Sequence, residues 1–371
     1  MATSLKSMYG PEVVDCIGHM VAFAWPAFPR KRFLTQALDG FASLELMDRG
    51  RHVARALVDH LPRDYPEAVA ILLAAADAPV QRPARNSLSS FLYLPFTEFV
   101  RTQGLDHPDV SLAAMHALTQ RFTAEFCIRP YLVRFPDRTL AQLRRWAEDP
   151  SADVRRLVSE GTRPRLPWAT RLPAFQADPS LALPLLELLR DDPSPYVRRS
   201  VANHLNDIGK DHPERLVAIA RQWIRNAPDE RRALLRHALR SLLKAGHPEV
   251  LGLLGHAPDA ALSVDASRVS PRRVPASGSV EIGYRVHNPG DTTVSVIADC
   301  RVGFVRADGS VSWKVFRLGR FPLAPGESRE VRKYLSLAPL STRRHYPGKH
   351  PVEAQVNGQR SPIGVFTLLA G

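Results

Sequence analysis

Glu125, Glu160 and Asp207, together with Trp168, are the side chains of this sequence whose types and spacing could do chemistry. Arg156 precedes Glu160 by one helical turn, and Arg199, Asn203 and Asp207 fall on one face of a later helical segment. A groove built to bind phosphate gains from each Lys and Arg and is penalised for each carboxylate. Acids at matched places among these arginines therefore suit something positive carried inside a polyanion. A nucleobase alkylated on a ring nitrogen is positive, and its N-glycosidic bond is weakened. Breaking that bond builds positive charge on the sugar, which fixed carboxylates stabilise where water is excluded. The same logic serves glycoside hydrolysis, with its oxocarbenium-like transition state. Trp168 can hold a cationic base against its ring face. Bland roles are open to the same residues: Glu125 can pair with Arg121 or Arg129, Glu160 with Arg156, and Trp168 and Tyr131 can fill a core.

The elements that must position these groups repeat. Asp149-Pro-Ser-Ala-Asp-Val-Arg-Arg-Leu-Val returns as Asp192-Pro-Ser-Pro-Tyr-Val-Arg-Arg-Ser-Val, 43 residues later. In each copy the Asp-Pro-Ser opens a helix, and valines (Val154 and Val158; Val197 and Val201) begin its apolar stripe. Gly161 and Pro164 should end the first helix and leave Arg163, Arg165 and Trp168 in an exit loop, with both arginines exposed. Looser copies begin at Val53, Asp106 and Arg231. A period near 40 to 47 residues marks a HEAT-like α-solenoid, whose stacked repeats form a concave surface for an extended ligand. Stacking should align Arg156, Glu160, Arg199 and Asp207 on one exposed surface.

Near residues 257 to 262 the texture changes to short alternating, β-branched segments separated by turns such as Asn288-Pro-Gly-Asp and Asn357-Gly. Seven strands are expected, giving an immunoglobulin-like β-sandwich. The fold class is thus mainly α, with a solenoid over residues 1–256 followed by an all-β sandwich over 262–371. The formal charge of +13 favours a polyanionic partner. From Asp259 onward the chain carries 16 Lys and Arg against 9 Asp and Glu, over half of that excess, so the sandwich is expected to touch the ligand too. Arg156, Arg163, Arg165, Arg199 and Lys210 are the expected phosphate contacts in the solenoid, and Arg343 and Arg344 in a sandwich loop. Trp313 is as readily a core residue as a binding one. Walker, GxGxxG, HExxH and CxxC motifs are absent, and the 13 histidines show no metal spacing. Three scattered cysteines suggest a reducing compartment, and the longest apolar run is too short to span a bilayer. A soluble cytoplasmic protein is expected.

The segments Phe122-Thr-Ala-Glu-Phe-Cys-Ile-Arg-Pro-Tyr131, Val154 to Trp168 and Val197 to Pro213 resemble the HEAT-like-repeat alkylation-repair DNA glycosylases. The likeness is to the AlkC branch, which adds an immunoglobulin-like domain, and it covers essentially the whole chain. Ser159-Glu-Gly-Thr-Arg-Pro-Arg-Leu-Pro-Trp168 is its most specific part. The resemblance implies excision of cationic N3-methylated bases, 3-methyladenine and 3-methylcytosine, from double-stranded DNA by a monomer using no metal or cofactor. It also implies catalytic roles for Glu125, Glu160 and Asp207, with Trp168 lining the lesion pocket. Two other readings stand beside it: a non-catalytic HEAT scaffold for DNA or protein, and a related glycosylase favouring bulky N7 adducts.

Overall fold

The computed structural model describes residues 6, 9–80, 89–339 and 344–370. Packing divides the chain into two compact units, Met1–Asp211 and His212–Gly371.

The first unit is helical: α1 (Pro11–Ala24), α2 (Arg30–Leu38), α3 (Leu46–His60), α4 (Tyr65–Ala76), α5 (Leu94–Gln103), α6 (Pro108–Thr119), α7 (Arg129–Arg134), α8 (Pro136–Trp146), α9 (Ala152–Gly161), α10 (Pro173–Ala177), α11 (Leu183–Leu189) and α12 (Pro195–Asp211). The prolines, expected between helices, mostly open them. In the first turn a missing N–H leaves no bond unmade, and the fixed φ already suits the helix. Helices pack on neighbours one, two or three places along the chain, such as α3 on α5, α4 on α6 and α9 on α12.

The two copies of the repeat therefore lie directly against each other. Val154, Leu157 and Val158 of α9, and Val197, Val201 and Leu205 of α12, are fully buried. Their starts are built alike. Asp149 accepts the Ser151 N–H and Asp192 the Ser194 N–H, each at 2.8 Å. Arg155 folds back onto the Asp149 and Pro150 carbonyls, and Arg198 onto those of Asp192 and Pro193. Each aspartate also receives a cationic or imidazole group from the preceding copy: His116 meets Asp149 at 2.7 Å, and Arg155 grips Asp192 at 2.6 and 3.0 Å.

The second unit joins α13 (Pro213–Trp223), α14 (Asp229–Ala238), α15 (Arg240–Ala245) and α16 (Pro248–Leu253) to eight strands among the described residues. These are β1 (Ser263–Ser270), β2 (Arg273–Val274), β3 (Ser279–His287), β4 (Val294–Val305), β5 (Val311–Leu323), β6 (Ser328–Ser336), β7 (Gly348–Val356) and β8 (Gln359–Leu368). One sheet runs β1-β3-β6 and the other β2-β8-β7-β4-β5. Val280 and Ile282 of the first pack with Cys300, Val302, Val352 and Phe366 of the second in one core. The strand beyond the expected seven, β2, is only two residues long and pairs parallel to β8, too short to carry an alternating pattern. Asn357 and Gly358 both take positive φ, the requirement of the tight turn joining β7 to β8.

Helix gives way to strand between Leu253 and Ser263, but packing places the division at Asp211. Hydrogen bonds between the last helices and the β7–β8 hairpin account for this. Gln355 donates to the Lys244 carbonyl at 3.1 Å, Arg360 to Ala245 at 2.9 Å and Asn357 to Ala257 at 3.0 Å.

Candidate active site

The site is built on α9, its exit loop, α12 and the segment between α6 and α7 that carries Phe122 and Glu125. Arg129, at the start of α7, is 1% exposed and makes four hydrogen bonds to main-chain carbonyls. They run to Gly161 and Arg163 at 2.9 Å and to Thr170 at 2.8 and 2.6 Å. One guanidinium thus ties both ends of the exit loop. Burial, with Arg163 adding to it, lowers the Arg129 pKa to about 10, so it stays charged at neutral pH.

The loop it fixes holds Trp168 with φ of 65°, and the residue is 65% exposed. An indole in left-handed backbone and open to solvent is costly on both counts and serves no core. It lines a cavity of about 440 Å³ whose wall also includes Phe91, Phe122, Glu125, Glu160 and Tyr196.

The carboxylates are held by arginines. Glu125 accepts from Arg156 at 2.7 Å and from the Thr123 hydroxyl at 2.8 Å. Glu160 accepts from Arg163 and from the Ser200 hydroxyl, both at 2.5 Å, and Arg156 stands 3.7 Å away. Asp207 accepts from Arg163 at 2.9 Å and Lys210 at 2.8 Å. Arg163 therefore bridges Glu160 to Asp207. Burial opposes the charges on Arg156 and Arg163, yet their carboxylates outweigh it and hold both pKa values above the ordinary one. The Arg156 guanidinium also lies over the Tyr196 ring, 4.9 Å from its centroid.

Several expectations are corrected. The surface expected to be exposed is mostly buried: Glu125 is 8% exposed, Glu160 5% and Asp207 1%. Packing of α9 on α12 closes it, and paired charges make the closure tolerable. Arg163, expected to be exposed on leaving the helix, is 7% exposed because it turns back between two carboxylates. Asp207 is not among the cavity-lining residues; Arg163, which is, carries its influence there. Tyr131 is fully buried, donating to the Val100 carbonyl at 2.8 Å, and takes no part in the site.

The remaining expected cations are more accessible. Arg165 is half-buried and forks onto Asp211, while Arg199 and Lys210 are exposed on α12. In the second unit, Arg344 is exposed beside the Tyr346 ring, and half-buried Trp313 carries the Arg301 guanidinium 4.6 Å from its ring centroid. Arg343 lies outside the described residues. Among the described residues no His, Cys, Asp and Glu side chains gather as a metal site, and no helix is long and apolar enough to cross a membrane.

Sequence reading missed Arg129, Tyr196 and Ser200 as parts of the site. A buried arginine gives no local sign, since its partners are carbonyls more than 30 residues away. Tyr196 could have been found from its place beside the second Val-Arg-Arg.

Known proteins resemble this chain along its length. A family model described as the C-terminal Ig-like domain of uncharacterised protein YhaZ matches residues 263–370. Uncharacterized protein YhaZ of Bacillus subtilis (strain 168) is 36% identical over 356 residues, 96% of each chain. The solved structure of Pseudomonas fluorescens alkylpurine DNA glycosylase AlkC, bound to DNA containing an abasic site analog, matches with a TM-score of 0.91 and 36% identity. That match covers 99% of this chain and 100% of the other. Matched at this identity over 99% of its length, the chain belongs to the AlkC family of alkylpurine DNA glycosylases, the branch that carries a C-terminal immunoglobulin-like domain.

Proposed function

We propose that this chain is a monofunctional DNA glycosylase that excises cationic N3-alkylated bases, 3-methyladenine and 3-methylcytosine, from double-stranded DNA. The observation that carries the reading is the pairing, in one cavity, of arginine-held carboxylates Glu125 and Glu160 with the exposed, strained Trp168. A carboxylate fixed by two or three donors has no reorganisation left to do when charge develops in front of it. Trp168 offers a face to the cationic base. As the C1′–N bond breaks, its electron pair goes to the base, which leaves neutral. Positive charge grows on the deoxyribose and is met by Glu125 and Glu160, with Asp207 acting through Arg163. Water adds to C1′, giving up its proton to a carboxylate, and an abasic site remains. The related glycosylase bound to DNA with an abasic site analog supports this product.

The solenoid reading gives Arg165, Arg199 and Lys210 the phosphate contacts, and the sandwich reading gives Arg343 and Arg344 theirs. Arg156 and Arg163 serve inside the site instead, since they line the cavity and hold its carboxylates. The test is release of free base from DNA methylated with dimethyl sulfate as single strands, where cytosine N3 is free to react, and then annealed, with products identified by chromatography. Wild-type protein releases 3-methyladenine and 3-methylcytosine, and Glu160→Gln loses on the order of 100-fold or more. A protein that binds the duplex but releases no base is a scaffold, and the reading fails.

A further inference from the structure

Asp153 is a third carboxylate on the cavity wall, in the first turn of α9. Its circumstances differ from those of Glu125 and Glu160. Both of those are paired with guanidinium groups and hydrogen-bonded by hydroxyls. Asp153 is half-buried, and among the described residues no hydrogen bond or ion pair reaches it. The arginines of the wall are already committed: Arg156 to Glu125, Arg163 to Glu160 and Asp207, and Arg121 to Asp77. Asp153 is therefore the one carboxylate of the wall that, among the described residues, no cation pairs. Aromatic faces stand in the same wall, namely Tyr196, Trp168 and Phe122.

A carboxylate with no paired cation, among aromatic faces in a partly enclosed cavity, is a receptor for a flat cation. A neutral base gains nothing from it, and a phosphate is repelled. We propose that Asp153 is a specificity residue of this site, selecting a positively charged base over a neutral one. The proposal rests on the glycosylase reading for its substrate, but the charge preference can be measured without any turnover.

The experiment compares wild-type protein with Asp153→Asn and Asp153→Glu in two assays. In the first, single-turnover release of 3-methyladenine from dimethyl-sulfate-treated duplex should fall on the order of tenfold or more in Asp153→Asn, the scale of one partly solvated charge contact. Asp153→Glu should retain most of the rate, and affinity for unmodified duplex should be unchanged or tighter in Asp153→Asn. In the second, tryptophan emission is titrated with 3-methylcytidine, which is cationic, and with neutral cytidine. Wild type and Asp153→Glu should prefer the cation, and Asp153→Asn should lose that preference. Wild-type release by Asp153→Asn, equal losses in the Asn and Glu variants, or an undiminished cation preference in Asp153→Asn would each overturn the proposal. If wild-type protein releases no base yet prefers 3-methylcytidine through Asp153, the glycosylase reading falls and the charge selection stands.

Discussion

Arg163→Met separates an internal role for this arginine from a role on DNA. Its guanidinium lies between Glu160 and Asp207, and all three residues are under 9% exposed. Removing one partner of a buried ion pair costs about 3–5 kcal/mol, because the carboxylates left behind keep their desolvation cost. Here the lower end applies. Asp207 keeps Lys210, and Glu160 keeps the Ser200 hydroxyl with Arg156 at 3.7 Å. A loss of about 3 kcal/mol lowers the melting midpoint of a domain of this size by roughly 6–12 °C. A phosphate-contacting arginine behaves otherwise: its removal leaves the melt nearly unchanged and reduces the log–log salt slope of duplex binding by about 0.9. The assay is a thermal melt paired with fluorescence anisotropy of a labelled duplex between roughly 50 and 200 mM salt. We expect a clear fall in melting temperature and an unchanged slope. An unchanged melt with a shallower slope would show that Arg163 faces DNA and that the buried bridge is wrong.

Three further outcomes follow from the same geometry. Trp168→Gly removes a side chain that packs little and relieves its left-handed backbone, so stability should hold or rise by up to about 1 kcal/mol while excision is lost; a variant that melts far lower would show the indole to be structural. His204 is fully buried, and burial lowers its pKa to about 4. The unfolded chain therefore takes up this proton first, so stability is lost as pH falls below about 6.5 and levels off near the folded value. Wild type should lose about 2 kcal/mol more than His204→Gln between pH 7 and pH 5 in denaturant titrations, and parallel curves would refute this. Truncation after residue 258 strips the β7–β8 hairpin from α15 and α16, so the 212–258 segment should exchange its amide hydrogens rapidly, whereas a chain ending at Asp211 should stay protected throughout; equal protection in both would place the division elsewhere.

Much of this was legible in the residues. Val154 and Val158, with Val197 and Val201, announced two helices with matching apolar stripes, and those helices pack on each other. Ser279 to His287 alternates so regularly that both ends of β3 could be read directly. What could not be read was direction in space. Arg163 follows a helix end and precedes a proline, a setting that gives arginines to solvent; only α12, about 40 residues on, turns it inward. Nothing in the sequence singles out Asp153, because its lack of a partner is a property of the whole cavity wall. Residues 212–253 read as more solenoid, since helical periodicity says nothing about which neighbour a helix chooses.

The paired aspartates at the helix starts have a consequence for how such a chain can change over time. Asp149 and Asp192 each fold the first turn of their own helix and also receive a side chain from the copy before. Each copy is thereby keyed to its neighbour by length as well as by shape. An insertion of one residue between Arg155 and Asp192 would leave a guanidinium and a carboxylate buried and unmatched, and would also rotate Val197 out of its seat. Variation in length should therefore collect in segments outside these keyed intervals, and the spacing of the copies should persist longer than the residues between them.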